Sequence, residues 1–108
     1  RKLHNAGITH GDVSLRNIMT AGRRVVLIDF DNALTSQMGK PRYLCGTAEF
    51  LAPECLTDLD YSPASDLWAM GVCLYALLTG RLPFFCVDRR PHNVRNALNA
   101  MRRGVRFK

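Results

Sequence analysis

Asp12, Asn17 and Asp29 are the residues whose types and spacing could do chemistry in this sequence. Asp12 and Asn17 stand just ahead of the apolar pair Ile18-Met19, and Asp29 follows the run Val25-Val26-Leu27-Ile28. Carboxylate and amide oxygens suit a hard cation such as magnesium. A further carboxylate in a loop can orient a hydroxyl and accept its proton. Metal ligands, a positioning base and accurate placement are most of what phosphoryl transfer asks of one side of a site. Each residue alone also has a structural reading: Asp12 as a turn former, Asn17 as a loop-to-strand cap, Asp29 as a strand terminator.

The surrounding pattern says what must position them. Residues 1–6 read as a helix end stopped by Gly7. A polar stretch follows to Asn17. Residues 18–20 and 24–28 read as two short strands about a turn at Ala21-Gly22, the second a continuous apolar run as in a buried strand. Residues 32–50 carry little periodicity and read as a long loop, which in a compact domain is usually functional. The strongest helix is expected over 63–79, with Ser62 as its cap, Pro63 in its first position and Gly80 past its end. It is apolar nearly all round, which predicts burial on every side. A last helix is expected over 92–103, with Val94, Leu98 and Met101 on one stripe and Arg102-Arg103 suiting the helix dipole.

Length and composition set the frame. The 108 residues suffice for one domain, and 47% apolar with 22% charged residues is globular composition. The charge is uneven: residues 81–108 hold eight Lys/Arg against one acid, Asp88, whereas 1–80 hold seven against eight. Such a basic third can be a solvated helix face or can meet an acidic partner. No basic block is interleaved with aromatics in the manner of base stacking, so no nucleic acid is expected. Cys45, Cys55, Cys73 and Cys86 form no C-x-x-C pair, arguing against zinc and for a reducing compartment, cytoplasmic or nuclear. The apolar run 67–78 is too short to span a bilayer. Both ends read as cuts in a longer protein.

In combination the residues resemble a known family. His10-Gly11-Asp12-Val13-Ser14-Leu15-Arg16-Asn17 resembles the protein-kinase catalytic loop, and Asp29-Phe30-Asp31 resembles the D-F-G motif at the right interval. Ala52-Pro53-Glu54, then Asp66-Leu67-Trp68-Ala69-Met70-Gly71, then Leu82-Pro83-Phe84-Phe85 follow in the family's order. Leu44-Cys45-Gly46-Thr47 and the ending Gly104-Val105-Arg106-Phe107 look most like Ser/Thr kinases of the cyclic-nucleotide-dependent (AGC) type. The resemblance implies an α+β fold: a piece of the C-terminal lobe, catalytic loop to helix G region, mainly helical with a short β-hairpin. It implies ATP and magnesium as cofactors and a protein substrate. Asp12 is then the base that orients the substrate hydroxyl, and Asn17 and Asp29 are the metal ligands. Ile18 and Met19 lie beneath the adenine ring, and His10 and Phe30 are stacked residues that mark the active state. Asp66 holds the loop backbone from below, and Thr47 reaches back to the catalytic loop.

Four departures qualify what the resemblance implies. Gly11 stands where the family has the Arg that clamps a phosphorylated activation loop, so activation without phosphorylation at Tyr43 is expected. Ser14 stands where Ser/Thr kinases place a phosphate-neutralising Lys, and Arg16 where tyrosine kinases place an Arg to a similar end. Asp31 replaces the Gly of D-F-G and adds negative charge beside the metal ligands. The Gly-rich loop, the β3 Lys with its Glu, and the Arg that pairs with Glu54 are absent from these 108 residues. The chain alone is therefore expected to be marginally stable and inactive. Acids that favour upstream Arg in a target are replaced by Arg16 and Ala76, leaving Glu49. Two alternatives stand beside the protein-kinase reading. His10-Gly11-Asp12 and Ile28-Asp29-Phe30-Asp31 also resemble small-molecule kinases of the aminoglycoside and choline type, which lack an A-P-E segment. A truncated or pseudokinase binding module is the other, with the basic final helix meeting an acidic partner.

Overall fold

The longest element shows its start and stop in its own residues. In the computed structural model, which describes residues 2–35, 37–84 and 91–104, helix α3 spans Pro63–Thr79. The Ser62 hydroxyl accepts from the Ser65 N–H and the Ser65 hydroxyl accepts from the Ser62 N–H, a reciprocal capping box with Pro63 just inside. Gly80 ends the helix, its N–H donating to Ala76 at 2.8 Å. Before α3 come α1 (Lys2–Asn5), the strand pair β1 (Ile8–Thr9) and β4 (Leu34–Thr35), the hairpin β2 (Ile18–Ala21) and β3 (Arg24–Leu27), and α2 (Pro53–Asp58). Helix α4 (Pro91–Arg103) follows. Both strand pairs are antiparallel, with Thr9 opposite Leu34 and Met19 opposite Val26. This is the mainly helical α+β architecture that the sequence led one to expect, with its hairpin next to the catalytic loop.

The core is a set of contacts on one side of α3. Ala69, Val72 and Cys73 pack with Val13 and Phe50, and Ile18, Leu27 and Trp68 close over them. A second cluster joins Leu51, Ala52 and Cys55 to Leu44, Tyr61 and Trp68, tying α2 to the same helix. Trp68 also stacks on Phe84, with ring centroids 5.7 Å apart. No helix among the described residues is long and apolar enough to cross a membrane.

Several expectations need correction. Helix α3 is not buried on all sides: Leu67 is 60% exposed and Leu77 71% exposed, with Met70, Leu74 and Leu78 beside them. Composition measures how apolar a helix is, not how many neighbours it has. The second hairpin strand is likewise open, Val25 being 72% exposed, because only the Ile18–Leu27 end of the hairpin meets the core. The hairpin turn lies at Gly22-Arg23, one residue later than expected. The loop over 32–50 contains β4 and a 3₁₀ turn at Ala48–Phe50. Strand β1 and helix α2 are additions. Phe85, Cys86, Asp88 and residues 105–107 lie outside the described residues.

Burial has a chemical signature at α2. Cys55 has no exposed surface, and burial pushes its thiol from an ordinary 9.0 up to about 11. At pH 8 its thiolate fraction is about one in a thousand. Alkylation at pH 8 followed by mass mapping is expected to label half-buried Cys45 first and Cys55 only once denaturant is added. Equal labelling of both in native buffer would show that α2 is not packed as described.

Candidate active site

The catalytic-loop residues are held from beneath by one buried carboxylate. Asp66, in the first turn of α3 and only 4% exposed, accepts the His10 N–H on Oδ2 at 2.7 Å and the Gly11 N–H on Oδ1 at 3.1 Å. His4 Nε2, from α1, reaches Oδ2 at 3.0 Å. The capping that starts α3 at Ser62 thus sets the height at which this carboxylate meets the loop. Val13 then turns into the core against Ala69 and Val72.

His10 carries the support one layer up. Its ring is fully buried, and Nδ1 accepts the Asp12 N–H at 3.1 Å. The ring proton therefore sits on Nε2, which donates to the Ile28 carbonyl at 2.9 Å. The Ile28 N–H in turn donates to the Asn17 carbonyl at 2.8 Å. Ile28 is gripped at both ends of its backbone, and this fixes Asp29, the next residue. Phe30 stands edge-on to His10, centroids 4.8 Å apart at 63°.

The Asp12 carboxylate is oriented from three directions. Oδ1 accepts the Thr47 N–H at 3.0 Å and the Thr47 hydroxyl at 2.9 Å. Oδ2 accepts from Asn17 Nδ2 at 3.1 Å, and the same nitrogen donates to the Asp12 carbonyl at 2.8 Å. A carboxylate has about four acceptor positions. Three are used here, which leaves one on Oδ2. Arg16 donates from Nη2 to Thr47 Oγ1 at 3.1 Å, so its guanidinium charge lies one hydrogen bond from the carboxylate.

Asp12, Arg16, Asn17 and Thr47 thus form one network, with Asp29 fixed beside it through Ile28. Ser14 is not brought to the site: it is fully buried and its hydroxyl has no hydrogen-bond partner among the described residues. In this arrangement it offers nothing to a phosphate, against the expectation that it stands in for a Lys. Met19 is also outside the network, on the open face of β2.

Two side-chain oxygens at the expected magnesium ligands have acceptor positions open. Asn17 spends its amide nitrogen on Asp12, and its Oδ1 has no hydrogen-bond partner among the described residues. Asp29, at φ 60°, uses Oδ1 on the Asp31 N–H at 3.3 Å and keeps Oδ2 open. No cluster of three or more His, Cys, Asp or Glu able to hold a metal occurs among the described residues. One carboxylate and one amide suit an ion that keeps its waters and takes further ligands from phosphates.

Sequence reasoning did not foresee how the later segment is seated. Gly46 and Gly11 lie in near backbone contact: a Cβ at Gly46 would be 2.6 Å from the Gly11 carbonyl oxygen, and a Cβ at Gly11 would be 2.8 Å from that of Asn32. Both have positive φ, 94° and 83°. Three backbone segments therefore stack where any side chain would push them apart. The Tyr61 hydroxyl, from the turn before α3, accepts the Cys45 N–H at 3.0 Å and donates to the Cys45 carbonyl. Nothing in residue spacing signals contacts of this kind. Glu54 is half-buried and makes no ion pair among the described residues.

The comparisons agree with this geometry. The protein kinase domain matches residues 1–107. The zebrafish (Danio rerio) serine/threonine-protein kinase H1 homolog is 39% identical over 89 residues, 76% of this chain and 21% of its own length. The human ribosomal protein S6 kinase-related protein is 40% identical over 83 residues, 75% of this chain and 20% of its own. The rat (Rattus norvegicus) RAC-beta serine/threonine-protein kinase is 37% identical over 89 residues, 80% and 18%. The chain belongs to the protein kinase domain family, and its similarity to RAC-beta and S6-kinase-related proteins fits the AGC type. It spans about a fifth of the length of these relatives.

The stacked glycines give a controlled test. Gly7 also has positive φ, 77°, but a Cβ there would meet nothing within 4 Å. Gly7→Ala should cost only the backbone preference, about 1 kcal/mol. Gly11→Ala should cost at least about 1 kcal/mol more, because it adds a clash with a backbone carbonyl. Denaturant midpoints of the two variants decide it, and equal losses would mean that the stack yields freely.

Proposed function

We propose that this chain supplies the catalytic-loop side of a serine/threonine protein kinase, which transfers the γ-phosphoryl group of ATP to protein hydroxyls. The supporting observation is the Asp12 carboxylate, oriented by Thr47 and Asn17 with one acceptor position left on Oδ2. That position is where a Ser or Thr hydroxyl docks, hydrogen-bonded and aligned for attack. Thr47 and Asn17 act as positioning residues, since they keep the carboxylate from turning.

Asn17 Oδ1 and the Asp29 carboxylate would hold magnesium. Magnesium held there would supply positive charge against the phosphate oxygens of ATP. Arg16 carries the positive charge that buried Ser14 cannot, and its bond to Thr47 holds that charge over the acceptor. Met19, open on β2, is the adenine-facing residue that the family likeness suggests. The Ser/Thr preference rests on the Thr47–Asp12 bonds and on the names of the relatives. ATP needs a second wall that these residues do not build, and the reading is made for the full-length natural protein. Its compartment is proposed to be reducing, from the free thiols of Cys45, Cys55 and Cys73.

The test is phosphorylation of Ser, Thr and Tyr peptides by the full-length protein, with choline and an aminoglycoside as competing acceptors. Transfer to Ser or Thr is expected, with Asp12→Asn lowering kcat by about 100-fold or more and leaving thermal stability nearly unchanged. Arg16→Ala should lower kcat by about tenfold or more at little change in KM, as for a charge felt mainly in the transition state. Transfer to Tyr or to the small molecules alone would overturn the proposal, as would an Asp12→Asn variant of full activity.

A further inference from the structure

The last helix carries charge that nothing described neutralises. Helix α4 has the sequence PHNVRNALNAMRR, with no acid in it. At 100° per residue, Arg95, Asn96, Asn99, Arg102 and Arg103 share one face, and all are exposed. Val94, Ala97, Leu98 and Met101 occupy the other. None of the three arginines makes a hydrogen bond or ion pair among the described residues. Glu49, Glu54 and Asp58 lie on neighbouring elements and do not pair with them.

The position of this face matters as much as its charge. Ala97 and Val94 pack against Ala48, the residue after Thr47. The apolar side of α4 is therefore anchored directly beside the segment that orients Asp12, and its basic side points away from that anchor.

We propose that the arginine face of α4 is a docking surface for acidic segments of protein substrates. The inference rests on the phosphotransfer reading and adds the substrate class to it. Charge complementarity favours an acidic peptide over the other anionic partners. Helix α4 has no Phe, Tyr or Trp on which a base could stack. Ala97 and Val94 on its apolar side are packed against Ala48, which shortens the apolar stripe that could enter a lipid surface. Rim charges of this kind act through on-rate and selectivity, and salt weakens them.

The experiment uses the full-length natural protein and three fluorescent peptides of equal length around one Ser, flanked by Glu, Ala or Arg. Anisotropy reads binding without ATP, so it does not depend on turnover. The Glu peptide is expected to bind roughly tenfold tighter than the Ala peptide at low salt, the gap closing as salt rises. Arg95→Glu/Arg102→Glu should remove roughly fivefold to tenfold of that affinity while leaving Ala-peptide binding and melting temperature unchanged. Equal or tighter binding of the Arg peptide would point to Glu49 and overturn the proposal. So would an unaffected double variant, or stronger binding to a single-stranded RNA or to phosphatidylserine vesicles than to the Glu peptide. If the Glu peptide binds but no peptide is phosphorylated, docking stands and the phosphotransfer reading falls. If phosphorylation occurs without charge preference, the reverse holds.

Discussion

The whole site hangs from one buried carboxylate. Asp66 is nearly free of water, and it stays affordable there only because two backbone amides and the His4 ring satisfy it. Those amides belong to His10 and Gly11, so the carboxylate cannot be satisfied unless the loop lies on the helix. The dependence runs upward from there. His10 fixes Asp12 through Nδ1 and Ile28 through Nε2, and Ile28 fixes Asp29. Asp12 and Asp29, 17 positions apart in sequence, thereby share one foundation.

The upper part of the site is made differently. Thr47 meets Asp12 with its amide and its hydroxyl, and Tyr61 closes on both backbone groups of Cys45. Gly46 lies between them, against Gly11. Orientation of Asp12 thus depends on a segment held by Tyr61, by the Arg16 guanidinium and by backbone packing. The family's usual Arg would not fit at position 11 without strain, because φ is 83° there and a Cβ would press on Asn32. At position 11 a close backbone contact thus stands where the family resemblance led one to expect an Arg.

What the sequence made legible was local. Ser62, Pro63 and Gly80 mark α3 because caps act within a few residues of the helix end. The hairpin and α4 show in their periods, and Asp12, Asn17 and Asp29 in their motif spacing. Strands β1 and β4 have two residues each, too few for any period to register. Helix α2 has six, less than two turns, with Glu54 and Asp58 breaking its apolar pattern. The apolar residues of α3 and β3 were read as buried because hydrophobicity reports a preference, and only the tertiary arrangement reports its fulfilment. Ser14 illustrates the same limit at the site: its motif position suggested a role beside the phosphate, and the turn of the chain faces it inward. The bond from Arg16 to Thr47 joins residues 31 apart, and no pattern within either segment encodes it.

The stack of Asn32, Gly11 and Gly46 has a consequence for how this protein can change over evolutionary time. A side chain at Gly11 presses on Asn32, and one at Gly46 presses on the Gly11 carbonyl, so both act on the spacing of a single layer. The effect of substituting one glycine therefore depends on what occupies the other position, since residues that share a backbone shift do not add their costs independently. A lineage that acquires a larger residue at position 11 has already moved the peptide that position 46 must clear. Substitutions at the two glycines are thus expected to be non-additive, and an Arg placed at 11 alone would press on Asn32 while Gly46 still packs against the same peptide.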